Sequence, residues 1–193
     1  MVRPRAFDED HVLRLALDVF WAKGYNASSM TDLLEATHLS KSSLYASFGS
    51  KQALIVETLR CYGDYLMSGP LAALGKPDAS RAEIEEALRT SVAVAKTPSG
   101  ERGCFVNNCM IEVAPHDPEV MAGVFEVMLR LEGRLVEAVS RGQQEGSITR
   151  AESATSLARF IVNTLAGINL AAKSKPDRER LDSIVRVALR ALD

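Results

Sequence analysis

The chain has 193 residues, of which 47% are hydrophobic and 25% charged, and its formal net charge is −2. A chain of this length can bury a sizeable core in one or two domains, and a near-neutral balance does not by itself indicate a nucleic-acid or membrane partner. Its three cysteines, Cys61, Cys104 and Cys109, are too few for a disulfide framework. Charged residues near the start leave no apolar segment of the kind that a signal peptide contains. No apolar stretch reaches the roughly 20 residues that span a bilayer. These features predict a cytoplasmic protein.

Four helices are predicted in the first third of the chain. Asp8 is placed to cap the first, and the second follows Ser29. Ser40 begins a short third helix, and Ser50 begins a longer fourth helix. Apolar residues recur at helical spacing in each segment, and period-2 alternation typical of strands is absent.

Five further helices are predicted near residues 80–96, 104–113, 117–144, 150–173 and 177–192. The stretches "SRAE" at Ser80 and "TRAE" at Thr149 have the capping-box pattern, and "HDPE" at His116 places a proline in a first turn. The sequence therefore predicts an all-α fold of about nine helices, with a boundary between a domain over residues 1–50 and a second over residues 51–193.

The second and third helices, joined by a short turn, form a helix-turn-helix pattern. In such a unit the second helix enters the DNA major groove. Leu44 and Phe48 are expected on its buried face, which leaves short polar side chains, Lys41 and Tyr45 outside. Serines and lysines at helix starts favour phosphate contacts, because free backbone amides point outward there. The predicted DNA-binding residues are Arg3, Arg5, Ser28, Ser29, Ser40, Lys41, Ser42, Ser43, Tyr45, Ser50 and Lys51.

The stretch "GYNASSMTDLLEATHLSKSSLYASFGSKQAL" strongly resembles the DNA-binding domain of TetR-family transcriptional regulators. The resemblance implies a homodimer that binds double-stranded operator DNA, with a helical effector-binding and dimerisation domain after residue 50. It also implies repression that a small molecule relieves. His38 departs from the family pattern, which has glycine at this turn position, but histidine tolerates positive φ better than most residues.

The last two helices are expected to form the dimer, as the resemblance implies. Each carries a broad apolar stripe, and a symmetric dimer would match a pseudo-palindromic operator. The same stripes are also compatible with a core within one chain. The predicted interface residues are Leu157, Ile161, Leu165, Ile184 and Ala188.

An effector pocket is predicted between the fourth helix and the segment around residues 104–128. Asn108 and Glu112 share a helix face in an otherwise apolar stretch, so both need partners if buried. A pocket of apolar walls with a few polar anchors is typical of small-molecule sites, although a packed core fits the same residues. The predicted lining is Cys61, Tyr62, Tyr65, Leu66, Phe105, Asn108, Cys109, Glu112, Met121, Phe125 and Met128.

Three alternatives remain open at this stage. Cys104 follows a glycine near a helix start, where the helix dipole lowers a thiol pKa, so a thiol-based sensor of oxidants or electrophiles is one alternative. A catalytic grouping of Cys104, His116 and Asp117 is disfavoured because His116 and Asp117 are explained as a helix cap. A helical protein-interaction module is disfavoured by the serines and lysine on the third helix, since protein interfaces favour aromatic anchors. No cofactor and no metal site are predicted.

Overall fold

The protein is described here by a computed structural model that covers residues 7–175 and 177–193. Every regular element in these residues is helical. Ten α-helices follow one another in this part of the chain: α1 (Glu9–Lys23), α2 (Met30–Thr37), α3 (Lys41–Phe48), α4 (Lys51–Ser68), α5 (Arg81–Ala95), α6 (Pro98–Glu101), α7 (Phe105–Glu112), α8 (Pro118–Glu145), α9 (Ala154–Ala172) and α10 (Arg178–Arg190). Short 3-10 segments lie at Ala72–Gly75 and Ala114–His116. The predicted all-α fold is confirmed, and the one-turn α6 is the helix that the sequence pattern did not reveal.

Side chains at the helix starts explain most of the helix boundaries. The Asp8 carboxylate accepts from the His11 amide at 3.2 Å, and the Ser40 hydroxyl accepts from the Ser43 amide at 3.1 Å. Ser50 caps α4 through the Ala53 amide at 3.0 Å. Each cap satisfies an amide that has no partner inside its own helix.

The capping box predicted at Thr149 is wrong. α9 begins at Ala154, and Ser153 caps it through the Ser156 amide at 3.0 Å. The Thr149 hydroxyl instead accepts from the Ala151 amide inside a turn. This turn is held by Gln143 of α8, whose amide donates to the Thr149 and Glu152 carbonyls at 2.8 Å each. Contacts with α8 therefore delay the helix start by four residues.

Buried side chains form two clusters that share the long helix α8. One cluster joins α1–α3 to α4, α7 and the first half of α8, with Phe20, Leu44 and Leu59 fully buried. The other joins α5, α9 and α10 to the second half of α8. We call the unit formed by α1–α3 the DNA-binding head and the remainder the regulatory half, after the roles that the sequence predicts for them. Within the described residues, no helix is both long and apolar enough to cross a membrane.

Candidate nucleic-acid interface and effector cavity

Helix α3 separates its apolar and polar faces as the sequence predicts. Leu44 and Phe48 are buried, whereas Lys41, Ser42 and Tyr45 are exposed. The Lys41 ammonium lies 5.9 Å from the centre of the Tyr45 ring. Ser40, Ser42 and Ser43 form a hydroxyl cluster at the helix start, with oxygen–oxygen distances of 2.9 and 3.0 Å from Ser40. This face combines donors, a cation and small side chains that allow close approach to DNA.

Lys51 lies at the start of α4 and is tied to the loop between α1 and α2. Its ammonium donates to the Tyr25 carbonyl at 2.6 Å and lies 4.2 Å from the centre of the Tyr25 ring. Partial burial lowers the pKa of Lys51, and the nearby carboxylates of Glu112 and Asp32 oppose that change. The loop therefore fixes where this cation points.

The residues at the start of α2 differ in accessibility. Ser29 is exposed and caps α2, and its hydroxyl also lies 2.8 Å from the Asp32 carboxylate. Ser28 is 2% exposed, and its hydroxyl donates to the Gly24 carbonyl at 2.6 Å. The phosphate contact predicted for the Ser28 side chain is therefore wrong, because that side chain is inside the fold. Arg3 and Arg5 lie outside the described residues.

The regulatory half contains a partly open, mainly apolar cavity of about 80 Å³. Four of the predicted residues line it: Tyr62, Tyr65, Leu66 and Met128. Helix α7 contributes Val106 and Asn107, which the sequence analysis missed, and Trp21 reaches the cavity from the head. The remaining walls come from α5, α6, α8 and α9 and from Pro70 and Leu71 after α4. None of these lining residues, all of them within the described chain, carries a charged side chain.

The other predicted lining residues lie elsewhere. Phe105 and Cys109 are buried in the cluster shared with the head, and Met121 packs against that cluster. Cys61 lies in a groove between α1 and α4, and Phe125 is 49% exposed on α8. The prediction placed them around one pocket because the sequence does not distinguish a side chain packed in the core from one that lines a cavity.

Asn108 and Glu112 do not act as paired anchors of a pocket. The Asn108 amide donates to the Arg102 carbonyl at 3.0 Å, and its oxygen accepts from the Lys173 ammonium at 2.8 Å. Glu112 extends away from the regulatory half and accepts from the Tyr25 and Asn26 amides. Asn107, one position before Asn108, is the asparagine of α7 that lines the cavity.

Cys104 occupies the N-cap position of α7 and lines the cavity. Burial raises its pKa, and hydrogen bonds from the Asn107 backbone and the Tyr62 side chain oppose this shift. Burial likewise raises the pKa values of Cys61 and Cys109. The lowered Cys104 pKa expected from the helix dipole is therefore wrong, since desolvation outweighs the dipole at this position.

The predicted dimer residues face the core of their own chain. Leu157, Ile161 and Leu165 of α9 and Ala188 of α10 are each no more than 4% exposed, and Ile184 is half-buried. Leu157, Ile161 and Leu165 belong to the cluster formed with α5 and α8, and Ile184 packs against it. The opposite faces expose Phe160 and Leu170 on α9 and Val187 on α10. The prediction chose the more apolar stripe of each helix, and that stripe is the one the chain buries itself.

Comparison with known proteins agrees with this architecture. Residues 12–58 match the family described as "Bacterial regulatory proteins, tetR family", and residues 81–188 match "Tetracyclin repressor-like, C-terminal domain". The chain is 28% identical to the uncharacterised HTH-type transcriptional regulator YezE of Bacillus subtilis, over 100% of both chains. It is 29% identical to the HTH-type transcriptional repressor ComR of Escherichia coli, over 97% of this chain and 90% of ComR.

Solved structures share the fold over the whole chain. A cysteine-substituted variant of the TetR-family regulator CifR, complexed with a 26-base-pair operator duplex, superposes with a TM-score of 0.84 at 34% identity. The match covers 99% of this chain and 100% of the CifR chain. The reduced form of NemR from Escherichia coli has the same fold, with a TM-score of 0.84 at 20% identity over 95% and 96% of the two chains. The chain belongs to the TetR family and is a DNA-binding transcriptional regulator.

Proposed function

We propose that this protein is a dimeric repressor that a small uncharged molecule releases from a pseudo-palindromic operator. The observation that carries the proposal is the outward polar face of α3, with Lys41, Ser42 and Tyr45 exposed over buried Leu44 and Phe48. A helix presented in this way fits the major groove. The protein acts in the cytoplasm, where the DNA is. The domain boundary near residue 50 separates the DNA-binding residues from the regulatory domain.

The exposed side chains of the head divide into two roles. Lys41 and Ser42, on the face of α3, are assigned to base edges, and Tyr45 is assigned to phosphate through its hydroxyl. Ser29, Ser40, Ser43, Ser50 and Lys51 surround the starts of α2, α3 and α4, where free amides favour phosphate. Arg3 and Arg5 complete the assignment as an arm along the DNA.

The partner for the dimer is a second copy, and its contact surface is the outer face of α9 and α10. Phe160, Leu170 and Val187 are large apolar residues that this chain leaves exposed. Gly167 lies between the first two on α9, and a Cβ there would meet no atom within 4 Å of the same chain. Exposed apolar side chains around a small residue favour close helix packing between two subunits.

The effector is assigned to the cavity, and the cavity limits its chemistry. Its walls carry no charged side chain, so an ionic effector would lose its hydration without gaining a counter-ion. Its present volume of about 80 Å³ is smaller than the roughly 150 Å³ cavity that holds one benzene. An effector of ring size therefore has to displace a wall, which is how binding can change the rest of the molecule.

Matched aromatic probes test this function. The operator is first selected from a randomised duplex pool, and its affinity is then measured by fluorescence anisotropy with phenol, benzyl alcohol, benzoate or benzylammonium present. We expect the two neutral probes to raise the melting temperature of the free protein and to weaken operator binding. Benzoate and benzylammonium, which have the same ring, should do neither.

Two results would contradict separate parts of this function. Failure to enrich any duplex, under conditions where the protein is folded, would remove the assignment of operator binding. Operator binding that a charged probe weakens as strongly as a neutral one would remove the assignment of an uncharged effector.

The variant Ala166→Leu, which narrows the cavity, should lose the probe-induced rise in melting temperature. Ala82→Leu, at an exposed site on α5, should keep it.

A further inference from the structure

One carboxylate of the regulatory half holds the loop that joins α1 and α2. Glu112, the last residue of α7, accepts from the Tyr25 amide at 3.1 Å and from the Asn26 amide at 2.8 Å. These residues are 86 or more positions apart in the chain, so the contact joins elements that the sequence keeps separate. A carboxylate that receives two backbone N–H groups is a strong, geometrically defined contact.

The loop fits closely around this carboxylate. Gly24 ends α1 with φ of 84°, and a Cβ at that position would lie 2.9 Å from one Glu112 oxygen. Glycine therefore both permits the backbone turn and leaves room for the carboxylate. A shift of Glu112 relative to the head would break at least one of its two hydrogen bonds.

The same loop fixes a proposed DNA contact. The Tyr25 carbonyl accepts from the Lys51 ammonium at 2.6 Å, and the Tyr25 ring lies under it at 4.2 Å. Glu112 accepts from the backbone amide of Tyr25, whereas the carbonyl and the ring of Tyr25 hold Lys51. Glu112 and Lys51 are therefore linked through Tyr25.

The start of α7 touches the cavity, and a second contact holds this region to the head. Cys104, Val106 and Asn107 line the cavity within the first turn. Just before them, the Gly103 carbonyl accepts from the Trp21 indole at 3.0 Å, and the Arg102 guanidinium lies 4.0 Å from the Trp21 ring. The first turn of α7 therefore lines the cavity, and Glu112 at its last position contacts the head.

We propose that Glu112 is a positioning residue for DNA binding: it transmits the position of α7 to the Tyr25–Asn26 loop and thereby to Lys51. Helix α4 forms a second connection between the head and the regulatory half, since it packs on both α1 and α8. α7 differs from α4 because it ends on the head through one carboxylate that a single substitution can remove.

The test is the variant Glu112→Gln in the full-length protein, measured by fluorescence anisotropy with the selected operator. The amide keeps the size of the side chain but presents an NH₂ group to one of the two backbone donors. Loss of one charge-assisted hydrogen bond should weaken operator binding roughly tenfold. The dependence on salt should also become shallower, because Lys51 is no longer held for phosphate.

The sign of the effect separates positioning from simple charge. Removing a negative charge near DNA should by itself strengthen binding, and Glu119→Gln serves as the matched control. Glu119 is exposed in the first turn of α8, directly after Pro118, the first residue of the helix. Asp117, which caps this helix, lies near Tyr25. We expect operator binding by Glu119→Gln to be unchanged or slightly tighter. Equal or tighter binding by Glu112→Gln would overturn the proposal.

If Glu112→Gln folds poorly, a second variant and a spectroscopic measurement test the same proposal. Glu112→Asp retains the charge but is one methylene too short to reach both amides, so it should weaken operator binding as well. In ¹⁵N spectra the Tyr25 and Asn26 amide protons should move upfield in both variants. Unchanged amide shifts together with unchanged operator affinity in Glu112→Asp would overturn the proposal.

Discussion

His38 ends α2 in the left-handed conformation, with φ of 55° and ψ of 23°. This conformation is expected from the sequence, because histidine stands at the turn position where the TetR-family pattern has glycine. A side chain with a Cβ is disfavoured there by roughly 1–2 kcal/mol, and part of that cost is recovered because glycine is more flexible in the unfolded chain.

We expect His38→Gly to stabilise the fold by about 0.5–1 kcal/mol without loss of operator binding. Urea denaturation measures the free energy of unfolding, and anisotropy measures operator affinity. Thr31→Gly, at an exposed position in the first turn of α2, is the control and should destabilise the fold by about 0.3 kcal/mol. Marked destabilisation by His38→Gly would show that the side chain makes a required contact in the turn.

Single residues were predictable where the physics is local. The caps at Asp8, Ser29, Ser40 and Ser50 depend on amides within three residues, and the structure contains all four. Glu112 was not predictable in the same way, because its partners lie in another part of the chain. One sequence shows that a glutamate in an apolar stretch needs a partner but not where that partner is.

At the scale of elements, hydrophobic periodicity located nine helices but did not identify the function of each face. In α9 and α10 the most apolar stripe is the one that packs inside the chain, so the residues predicted for the dimer are core residues. The exposed faces are mixed, with apolar side chains interspersed among polar ones such as Asn163. The one-turn α6 was missed because a segment of four residues has no periodicity to detect.

The exposed face of α9 and α10 gives an element-scale prediction. Phe160→Glu or Val187→Glu should each weaken the dimer by about 2 kcal/mol or more, because a charge would be buried against the partner's apolar side chains. Sedimentation velocity should show wild type at twice the chain mass of 21.0 kDa and the variants shifted toward one chain mass.

A control and a contrary outcome define this test. Ala72→Glu places the same charge at an exposed position in the 3-10 segment, away from both helices, and should leave the dimer intact. If both Phe160→Glu and Val187→Glu remain dimers at low micromolar concentration, the subunits meet through another surface.

At the scale of the whole molecule, the sequence indicated the fold and the DNA-binding head more fully than the regulatory half. The helix-turn-helix of the head is a local pattern with a fixed spacing between its apolar and polar residues. The cavity is instead lined by residues from seven separated segments. Two heads related by a two-fold axis would place the α3 helices about 34–36 Å apart, one turn of DNA. Lys41 and Lys51 would then each contribute twice to binding.

The most direct test of the account is the salt dependence of operator affinity for wild type and Lys51→Ala. We expect the logarithm of the association constant to fall linearly with the logarithm of salt concentration, by about 0.9 per neutralised phosphate. In a dimer Lys51→Ala should weaken binding to all duplexes and reduce the slope by about two, one for each head. A wild-type affinity that hardly changes with salt, or a slope that Lys51→Ala leaves unchanged, would contradict groove binding by α3 with phosphate contacts at the start of α4.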